Sequence, residues 1–148
     1  MNQITDQQIQ NFVAAWYQAL DFHLPIEQVY PMLAARDLSM SFPDGDIKGY
    51  DSFKVWYDRV TNIFFDENHN VNEVKITPRG EGNYVLDIIV GWQASWWTPP
   101  AAKSKRLSMD ATQRWLIRPS TQNAYGLEIV SYNATVEPFK YAQGYARL

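Results

Sequence analysis

The sequence predicts an α+β domain in which a curved antiparallel sheet is wrapped around N-terminal helices, giving a cone-shaped barrel with a pocket. Two observations carry this prediction. The segments with helical periodicity all lie within the first 65 residues. Four long segments with strand-like alternation follow, separated by clusters of Pro, Gly and Asn. Helices followed by a run of antiparallel strands are typical of α+β folds, whose helices pack on one sheet face.

The helical part is predicted to contain three segments. The first begins after Thr5, which we expect to form a capping box with Gln8. Pro25 suits the first position of a short second helix, which Pro31 ends or restarts. A third helix is expected over residues 51–65. The first helix has apolar residues at helical spacing, which predict one buried face: Ile9, Phe12, Val13, Trp16 and Leu20.

The strand part is predicted to start with a short strand at residues 38–42 and a turn at residues 43–46. Strands of about a dozen residues are longer than usual, so we expect the sheet to coil around the helices and leave a hollow. In the third long strand, Gln113 falls in an otherwise apolar row and Asp110 falls on the opposite face. The four long strands are expected at about residues 69–77, 84–97, 107–118 and 125–136.

Length, charge and composition exclude several classes of function. The 148 residues fit one domain over residues 1–148. The net charge of −3 and the absence of a basic patch argue against a nucleic-acid partner. The chain has no Cys, which excludes disulfides, Cys-ligated zinc and iron–sulfur clusters. With two His in the sequence, we expect neither a metal site nor a cofactor.

The sequence also lacks the marks of a membrane protein. No apolar run reaches the roughly 18–20 residues that a membrane-spanning helix needs. The polar start of the sequence lacks the features of a signal peptide. We therefore expect a cytoplasmic protein with no membrane partner. The aromatic content of 15% predicts a pocket wall or a subunit interface in addition to an aromatic core.

The order of elements, helix–helix–strand–helix followed by four strands, resembles the nuclear transport factor 2-like superfamily. This superfamily includes the SnoaL-like polyketide cyclases and the ketosteroid isomerases. The resemblance covers nearly the whole chain and includes the segment 42–45, which leads through Gly49 into the third helix, and the segment 64–66 followed by His69. It implies a cone-shaped fold with a small-molecule pocket and a homodimer.

The isomerases in this superfamily use a Tyr on the first helix, an Asp near the end of the first strand and a protonated Asp on the strand before the last. Trp16, Phe42 and Gln113 stand at those three places in this chain. A phenyl ring therefore replaces the carboxylate that abstracts a proton. The resemblance implies no isomerase-type proton shuttle by that route, although Gln113 keeps the ability to donate a hydrogen bond to an oxygen.

Two residues are the leading polar candidates. Gln113 needs hydrogen-bond partners if it is buried, and either a bound ligand or a hydroxyl such as that of Tyr17 or Tyr57 would supply them. His69 is a candidate general acid or base because its reference pKa is about 6.5. The alternative for His69 is a structural role as a capping histidine or one paired with a carboxylate.

Two carboxylates complete the polar candidates. Asp110 would join the face of Gln113 as a base only if a bulge reversed the alternation of its strand. Glu128 falls by alternation in an apolar row with Tyr132, so we expect either a buried carboxylate in the pocket or a cross-strand pair with an Arg. The predicted ligand-binding set also includes aromatic residues: Trp16, Tyr17, Phe42, Tyr57 and Trp92.

The sequence thus predicts a domain of the SnoaL-like kind that binds a small apolar molecule in an aromatic pocket. If the protein is an enzyme, proton transfer without a cofactor is the class of reaction that fits, as in an isomerase, a dehydratase or a cyclase. The alternative is a non-catalytic homodimeric interaction or accessory module whose hollow is filled by its own side chains.

Overall fold

The computed structural model describes residues 3–148, in which the predicted helices and strands occur in the predicted order, together with two short strands that were not predicted. The helices are α1 (Asp6–Asp21), α2 (Ile26–Val29), a 3₁₀ turn (Tyr30–Met32) and α3 (Gly49–Ile63). Within this range the strands are β1 (Ser39–Phe42), β2 (Gly45–Lys48), β3 (Phe64–Gly80), β4 (Asn83–Trp96), β5 (Lys105–Pro119), β6 (Leu127–Asn133) and β7 (Lys140–Tyr141).

The strands form one curved sheet in the order β2-β1-β6-β5-β4-β3, and β7 pairs with β5. The long pairs β3–β4 and β4–β5 are antiparallel, whereas β1 runs parallel to β6. The predicted fold class is confirmed: the domain is α+β, and its helices follow one another before the long strands. The sheet provides the wall against which the helices pack.

Helix α1 forms as predicted because its first N–H groups are capped and its apolar stripe is buried. The Thr5 hydroxyl accepts a hydrogen bond from the backbone N–H of Gln8 at 3.1 Å. The capping box is only half formed, since the side chain of Gln8 donates to the carbonyl of Tyr125 at 2.8 Å instead. The predicted apolar face is buried, from 0% to 8% exposed, and comprises Ile9, Phe12, Val13, Trp16 and Leu20.

The inner faces of β4 and β5 supply the other half of the core. In both strands alternate residues are buried, as a period of two requires. The fully buried side chains of these rows include Leu86, Ile88, Ala94, Leu107, Trp115 and Ile117. Burying such apolar area contributes roughly 25 cal/mol for each Å² removed from water, which makes this layer the main source of stability.

Some boundaries differ from the sequence-based prediction. The predicted turn at 43–46 is shorter, because Gly45 already begins β2 and pairs with Phe42 of β1. Helix α3 occupies 49–63 rather than 51–65, so Phe64 and Phe65 belong to β3. The last long strand ends at Asn133 rather than near residue 136. These shifts lie at the ends of elements, where periodicity is weakest.

Candidate functional site

A cavity of about 470 Å³ opens between helix α3 and the inner face of the sheet, a volume suited to a small organic molecule. Its polar wall groups include Glu67, His69, Gln113 and Tyr132. The rest of the wall is mostly apolar and aromatic, with contributions from Leu20, Phe42, Trp56, Val60, Phe64, Val90, Trp92, Met109 and Ala111. A few polar groups in an apolar wall are the usual composition of a ligand site.

Two bulges in β3 decide which of its side chains face the cavity. The register of β3 against β4 shifts once within residues 65–68 and again within residues 71–73. Phe64 lies before the first bulge and Val74 after the second, and both pack against the core. Because a bulge places one extra residue in a strand, the stretch between the two has its faces exchanged relative to both ends.

The exchanged stretch brings Glu67 and His69 to the cavity wall. Strict alternation from Phe64 would turn both side chains outward. Asp66, the exposed residue of the first bulge, has a φ of 51°, in the left-handed region that Asp and Asn tolerate better than other residues with a side chain. Its local geometry is therefore what positions the two acid–base groups.

His69 is held by a carboxylate and by two aromatic rings. Its Nδ1 lies 2.6 Å from Oδ1 of Asp21, and its backbone N–H donates to Oδ2 of the same carboxylate at 3.2 Å. The imidazole stacks on the rings of Tyr17 and Trp92, with centroid separations of 5.0 and 5.9 Å. Since a carboxylate only accepts, Nδ1 carries a proton and Nε2 is the basic nitrogen.

Glu67 forms a second acid–base pair on the same wall. Its Oε2 lies 2.5 Å from Nε2 of His23, and its Oε1 accepts a hydrogen bond from the indole N–H of Trp92 at 3.2 Å. The side chain of Glu67 is 8% exposed, whereas that of His23 is 29% exposed. The pair thus runs from the cavity wall toward the surface.

Gln113 lies at the centre of a buried network of polar groups. Its Oε1 accepts hydrogen bonds from the hydroxyl of Tyr17 at 2.6 Å and from the indole N–H of Trp115 at 3.1 Å. The partner that the sequence proposed, Tyr17, is therefore present. Gln113 and the neighbouring Tyr132 both line the cavity, so amide and hydroxyl groups are available beside any ligand there.

The tyrosines of this network keep their protons up to high pH. Burial raises the pKa of Tyr132 to about 12, and the polar groups of Trp16, Gln113 and Tyr17 partly offset that effect. Burial also raises the pKa of Tyr17 well above its ordinary value, and the nearby Tyr132 adds to the shift. At neutral pH both hydroxyls are hydrogen-bond donors.

The mouth of the cavity is formed by the β1–β2 turn, α3 and the C-terminal segment. Asp44 and Arg59 form an ion pair at the rim at 2.7 Å, and both are well exposed. Such a surface pair contributes roughly 0–1 kcal/mol to stability. Phe139, Tyr141 and Leu148 complete the apolar rim, because β7 folds the tail back along β5 of its own chain.

The predicted aromatic residues divide into a wall set and a supporting set. Phe42 and Trp92 line the cavity directly. Tyr17 stacks on the imidazole and reaches the wall through Gln113. Trp16 and Tyr57 are buried behind the wall, where Trp16 is 0% exposed and the Tyr57 hydroxyl donates to a backbone carbonyl after α1. Their roles in ligand binding stay predictions.

Asp110 is not brought to the cavity. It is exposed on the outer face of β5 opposite Gly91, and the β4–β5 register runs without a bulge from Tyr84 to Trp96. The pairing of β4 with β5 therefore contains no bulge that would move this carboxylate to the face of Gln113. The geometry therefore gives Asp110 no part in the chemistry of the cavity.

Glu128 is also outside the cavity, and the alternation used to place it with Tyr132 is wrong. The β5–β6 register shifts so that Val130 is an extra residue, which exchanges the faces of β6 on either side of it. Ile129 and Tyr132 are therefore both buried, while Glu128 faces Arg118 across the sheet and accepts its Nε–H at 2.7 Å. The cross-strand pair is the alternative that the sequence analysis left open.

Sequence reasoning missed Asp21, Glu67 and His23. Asp21 is the last residue of α1, where nothing in the sequence pattern distinguishes it from an ordinary exposed carboxylate at a helix end. Glu67 is inward only because of the first bulge, and His23 reaches it from the loop after α1. The available signal was that an acidic residue lies two positions before each histidine, Asp21 before His23 and Glu67 before His69. In the structure each acid pairs with the histidine of the other segment, Asp21 with His69 and Glu67 with His23, which spacing alone does not reveal.

Among residues 3–148, no group of three or more His, Asp or Glu side chains is arranged to hold a metal ion. Within the same range, no helix combines the length and apolarity needed to cross a membrane. The expectation that no cofactor is used stays a prediction. The acid–base groups at the cavity are thus two carboxylate–histidine pairs in an otherwise mostly apolar wall.

No protein-family model and no curated protein matches the sequence. Solved structures do match in fold. A hexachlorocyclohexane dehydrochlorinase LinA-type3 from Novosphingobium barchaimii LL02 is 11% identical with a TM-score of 0.71, over 96% of this chain and 92% of that one. A nuclear transport factor 2-like superfamily protein from Salmonella enterica serovar Typhimurium is 14% identical with a TM-score of 0.69, over 95% and 91%.

A third structure with the same fold is a subunit of an enzyme. The β subunit of the benzoate 1,2-dioxygenase from Burkholderia mallei is 14% identical with a TM-score of 0.66, over 90% of this chain and 91% of that one. At such identities the likeness concerns the fold alone. These comparisons and the topology agree with the resemblance seen in the order of elements, and the chain has the nuclear transport factor 2-like fold.

Proposed function

We propose that this protein binds a small, largely apolar molecule in its cavity and catalyses proton transfer on that molecule without a cofactor, with His69 as the general base. The observation that carries the proposal is the hydrogen bond between His69 Nδ1 and Asp21 at the wall of an apolar cavity. A base in such a site removes a proton from carbon more readily when its reactive nitrogen is already oriented.

Asp21 acts as a positioning residue in this proposal. By accepting the Nδ1 proton it selects the tautomer in which Nε2 holds a lone pair, and it stabilises the imidazolium formed after proton abstraction. Its second oxygen accepts the backbone N–H of His69, which fixes the carboxylate itself. Stacking on Tyr17 and Trp92 fixes the plane of the ring.

Gln113 and Tyr132 supply the complementary function of binding an oxygen atom of the ligand. Both line the cavity, and the hydroxyl of Tyr132 stays protonated at neutral pH. Donors that lie ready in a site from which water is excluded stabilise negative charge that develops on a carbonyl or leaving oxygen. The fold match to a protein named as a dehydrochlorinase supports elimination chemistry as compatible with this architecture.

The test uses 5-nitro-1,2-benzisoxazole, a flat apolar probe whose ring opens when a base removes its single C3 proton and the N–O bond breaks. The product is a coloured cyanophenolate. We expect wild-type protein to accelerate the reaction and His69→Gln to lose roughly 10²–10⁴-fold in kcat/KM. Glu73→Gln, on the outer side of the same strand, is the matched control and should retain full activity. Equal rates for wild type and His69→Gln would refute the proposal.

A second candidate function is a non-catalytic homodimeric module. The observation that favours it is a cluster of half-buried apolar side chains on the outer face of the sheet, where Val85 pairs with Leu116 and Ile89 lies nearby. Apolar side chains on an otherwise polar face are compatible with a symmetric interface. Light scattering of wild type and of Ile89→Arg tests it: a dimer that the substitution dissociates, together with no turnover dependent on His69, would favour this candidate.

A further inference from the structure

The environment of Glu67 is unusual for a glutamate on an exposed, polar strand. Its carboxylate lies at the wall of an apolar cavity with both oxygens engaged, one by His23 and one by the indole N–H of Trp92. Burying an ionised carboxylate is costly unless it is paired and hydrogen-bonded. Glu67 therefore belongs to the same wall as His69, whereas the direct hydrogen-bond partner of the His69 imidazole is Asp21.

Resting on the proposed role of His69, we propose that Glu67 and His23 form a proton relay that protonates an oxygen atom of the bound molecule as a bond to that oxygen breaks. The substrate class is then a small, largely apolar molecule that loses a proton from carbon and a poorly leaving oxygen group, such as a hydroxyl or a phenoxide. The site would perform elimination with both a base and an acid.

The proton count of the pair suits this role. When the Glu67–His23 pair has no net charge, it holds two acidic protons. They are arranged either as imidazolium with carboxylate or as neutral imidazole with carboxylic acid. The short Oε2···Nε2 contact allows the proton to pass between these two forms. Glu67 faces the cavity, and His23 is the more exposed partner, so a proton taken from solvent by the imidazole reaches the carboxyl group without water entering the cavity.

The elimination balances with these groups. His69 Nε2 takes the proton from carbon, the electron pair of the C–H bond forms the new π bond, and the bond to the leaving oxygen breaks. Glu67 gives its proton to that oxygen, which departs as a neutral hydroxyl compound or as water. His69 then releases its proton to solvent, and the Glu67–His23 pair takes one up through His23. No oxidant or reductant is needed.

The spacing of the two groups fits a small reacting unit. Glu67 and His69 are two residues apart on β3 and both line the cavity, and the Trp92 side chain contacts both, through its N–H to Glu67 and its ring to the His69 imidazole. A base and an acid that share a wall in this way can contact the hydrogen and the leaving oxygen of one small molecule. Gln113 and Tyr132 on the inner wall are left to hold the rest of the molecule.

The test measures how the rate depends on the leaving group. Three probes are used: 1,2-benzisoxazole and its 5-chloro and 5-nitro derivatives, whose leaving phenols become progressively more acidic. An acid in the site helps most when the leaving oxygen is most basic. We expect Glu67→Gln to lose roughly 10²-fold in kcat/KM with unsubstituted benzisoxazole but less than about 3-fold with the nitro compound. Gln keeps an oxygen for the Trp92 N–H and is nearly isosteric.

His23→Gln is the second variant, and it reports on the relay even if Glu67→Gln does not fold. Because His23 resupplies the proton, it should show the same selective loss with the unsubstituted probe. The outer-face variant Glu73→Gln should change none of the three rates. An equal loss for all three probes in the Glu67 and His23 variants, or no loss at all, would overturn the relay while leaving the base intact.

The outcomes separate the relay from the proposed function. His69→Gln should lose activity on all three probes, whatever the leaving group. If none of the probes shows turnover that depends on His69, the proposed function fails, and the relay fails with it. If His69 is required and the leaving-group dependence of the Glu67 and His23 variants equals that of wild type, only the relay fails.

Discussion

The carboxylate of Asp21 contacts His69 twice, through the imidazole Nδ1 at 2.6 Å and through the backbone N–H at 3.2 Å. These contacts connect the last residue of α1 to a bulged segment of β3, two elements distant in the sequence. The histidine ring and the strand that carries it are therefore oriented by one side chain. A substitution that keeps the shape of Asp21 but changes its hydrogen bonding separates these two effects.

We predict that Asp21→Asn lowers kcat on 5-nitro-1,2-benzisoxazole by roughly 10²–10⁴-fold with little change in KM, because the neutral amide neither selects the tautomer nor stabilises the imidazolium. Steady-state kinetics measure the split, and nitrogen-15 NMR of the histidines reports the tautomer. Unchanged kcat, or a change confined to KM, would contradict the positioning role. Asp58→Asn, at an exposed ion pair on α3, is the control.

We predict that Gln113→Leu lowers the free energy of unfolding, because the Tyr17 hydroxyl and the Trp115 N–H would both lose their acceptor. A buried donor without a partner costs about 1–3 kcal/mol. Urea denaturation measures the change, and Gln113→Glu, which keeps an acceptor, should cost less. A neutral or stabilising effect of Leu would mean that the network is dispensable, as expected for a merely packed interior.

We predict that the protein loses stability between pH 10 and pH 12. The pKa of Tyr132 is about 12 in the folded state, and that of a tyrosine in the unfolded chain is about 10, so the unfolded state releases its proton first as the pH rises. The contribution of this tyrosine to the free energy of unfolding is therefore complete below pH 10. It is lost as the pH approaches 12, at about 1.4 kcal/mol per pH unit for each such group.

Tyr132→Phe removes one of these groups. Chemical denaturation at several pH values above 10 should give a slope that is shallower by about 1.4 kcal/mol per pH unit than that of wild type. Some slope remains, since burial also raises the pKa of Tyr17. Identical slopes for the two proteins would show that the hydroxyl of Tyr132 titrates alike in the folded and unfolded chains.

We predict that Gly is more stabilising than Ala at position 66, by about 1 kcal/mol, because Asp66 has a positive φ in the first bulge of β3. At Asn68, two residues farther along the same strand, the usual order should hold and Ala should be preferred to Gly. Thermal denaturation of the four variants measures both differences. The same order at both positions would argue against a left-handed residue at 66.

The regular parts of the fold were predictable from the sequence for a physical reason. Helix α1 and strand β5 bury one face each, so Phe12 and Trp115 recur in apolar rows of the right period. The position of Gln113 in such a row also led to its network with Tyr17. These interpretations rest on local periodicity, which long, half-buried elements display clearly.

The candidate site was predictable only in part. His69 was identified from its chemistry, and its role as a base stays a prediction, but its partner Asp21 lies 48 residues away and no local pattern joins them. Glu67 escaped notice because β3 is mostly polar and its register against β4 shifts three times, so that alternation does not indicate its faces. The same limitation misplaced Glu128, for which a bulge in β6 was decisive.

The first two bulges of β3 also bear on how such a protein changes over generations. Moving the extra residue from the first bulge to the second would slide the segment between them by one residue, while the pairs on either side, such as Phe64 with Trp96 and Val74 with Ile88, keep their register. The inward positions would then hold Asn68 and Asn70 in place of Glu67 and His69. Divergence of chemistry on this scaffold therefore needs no new active-site residue, only a change in where a bulge holds its extra residue.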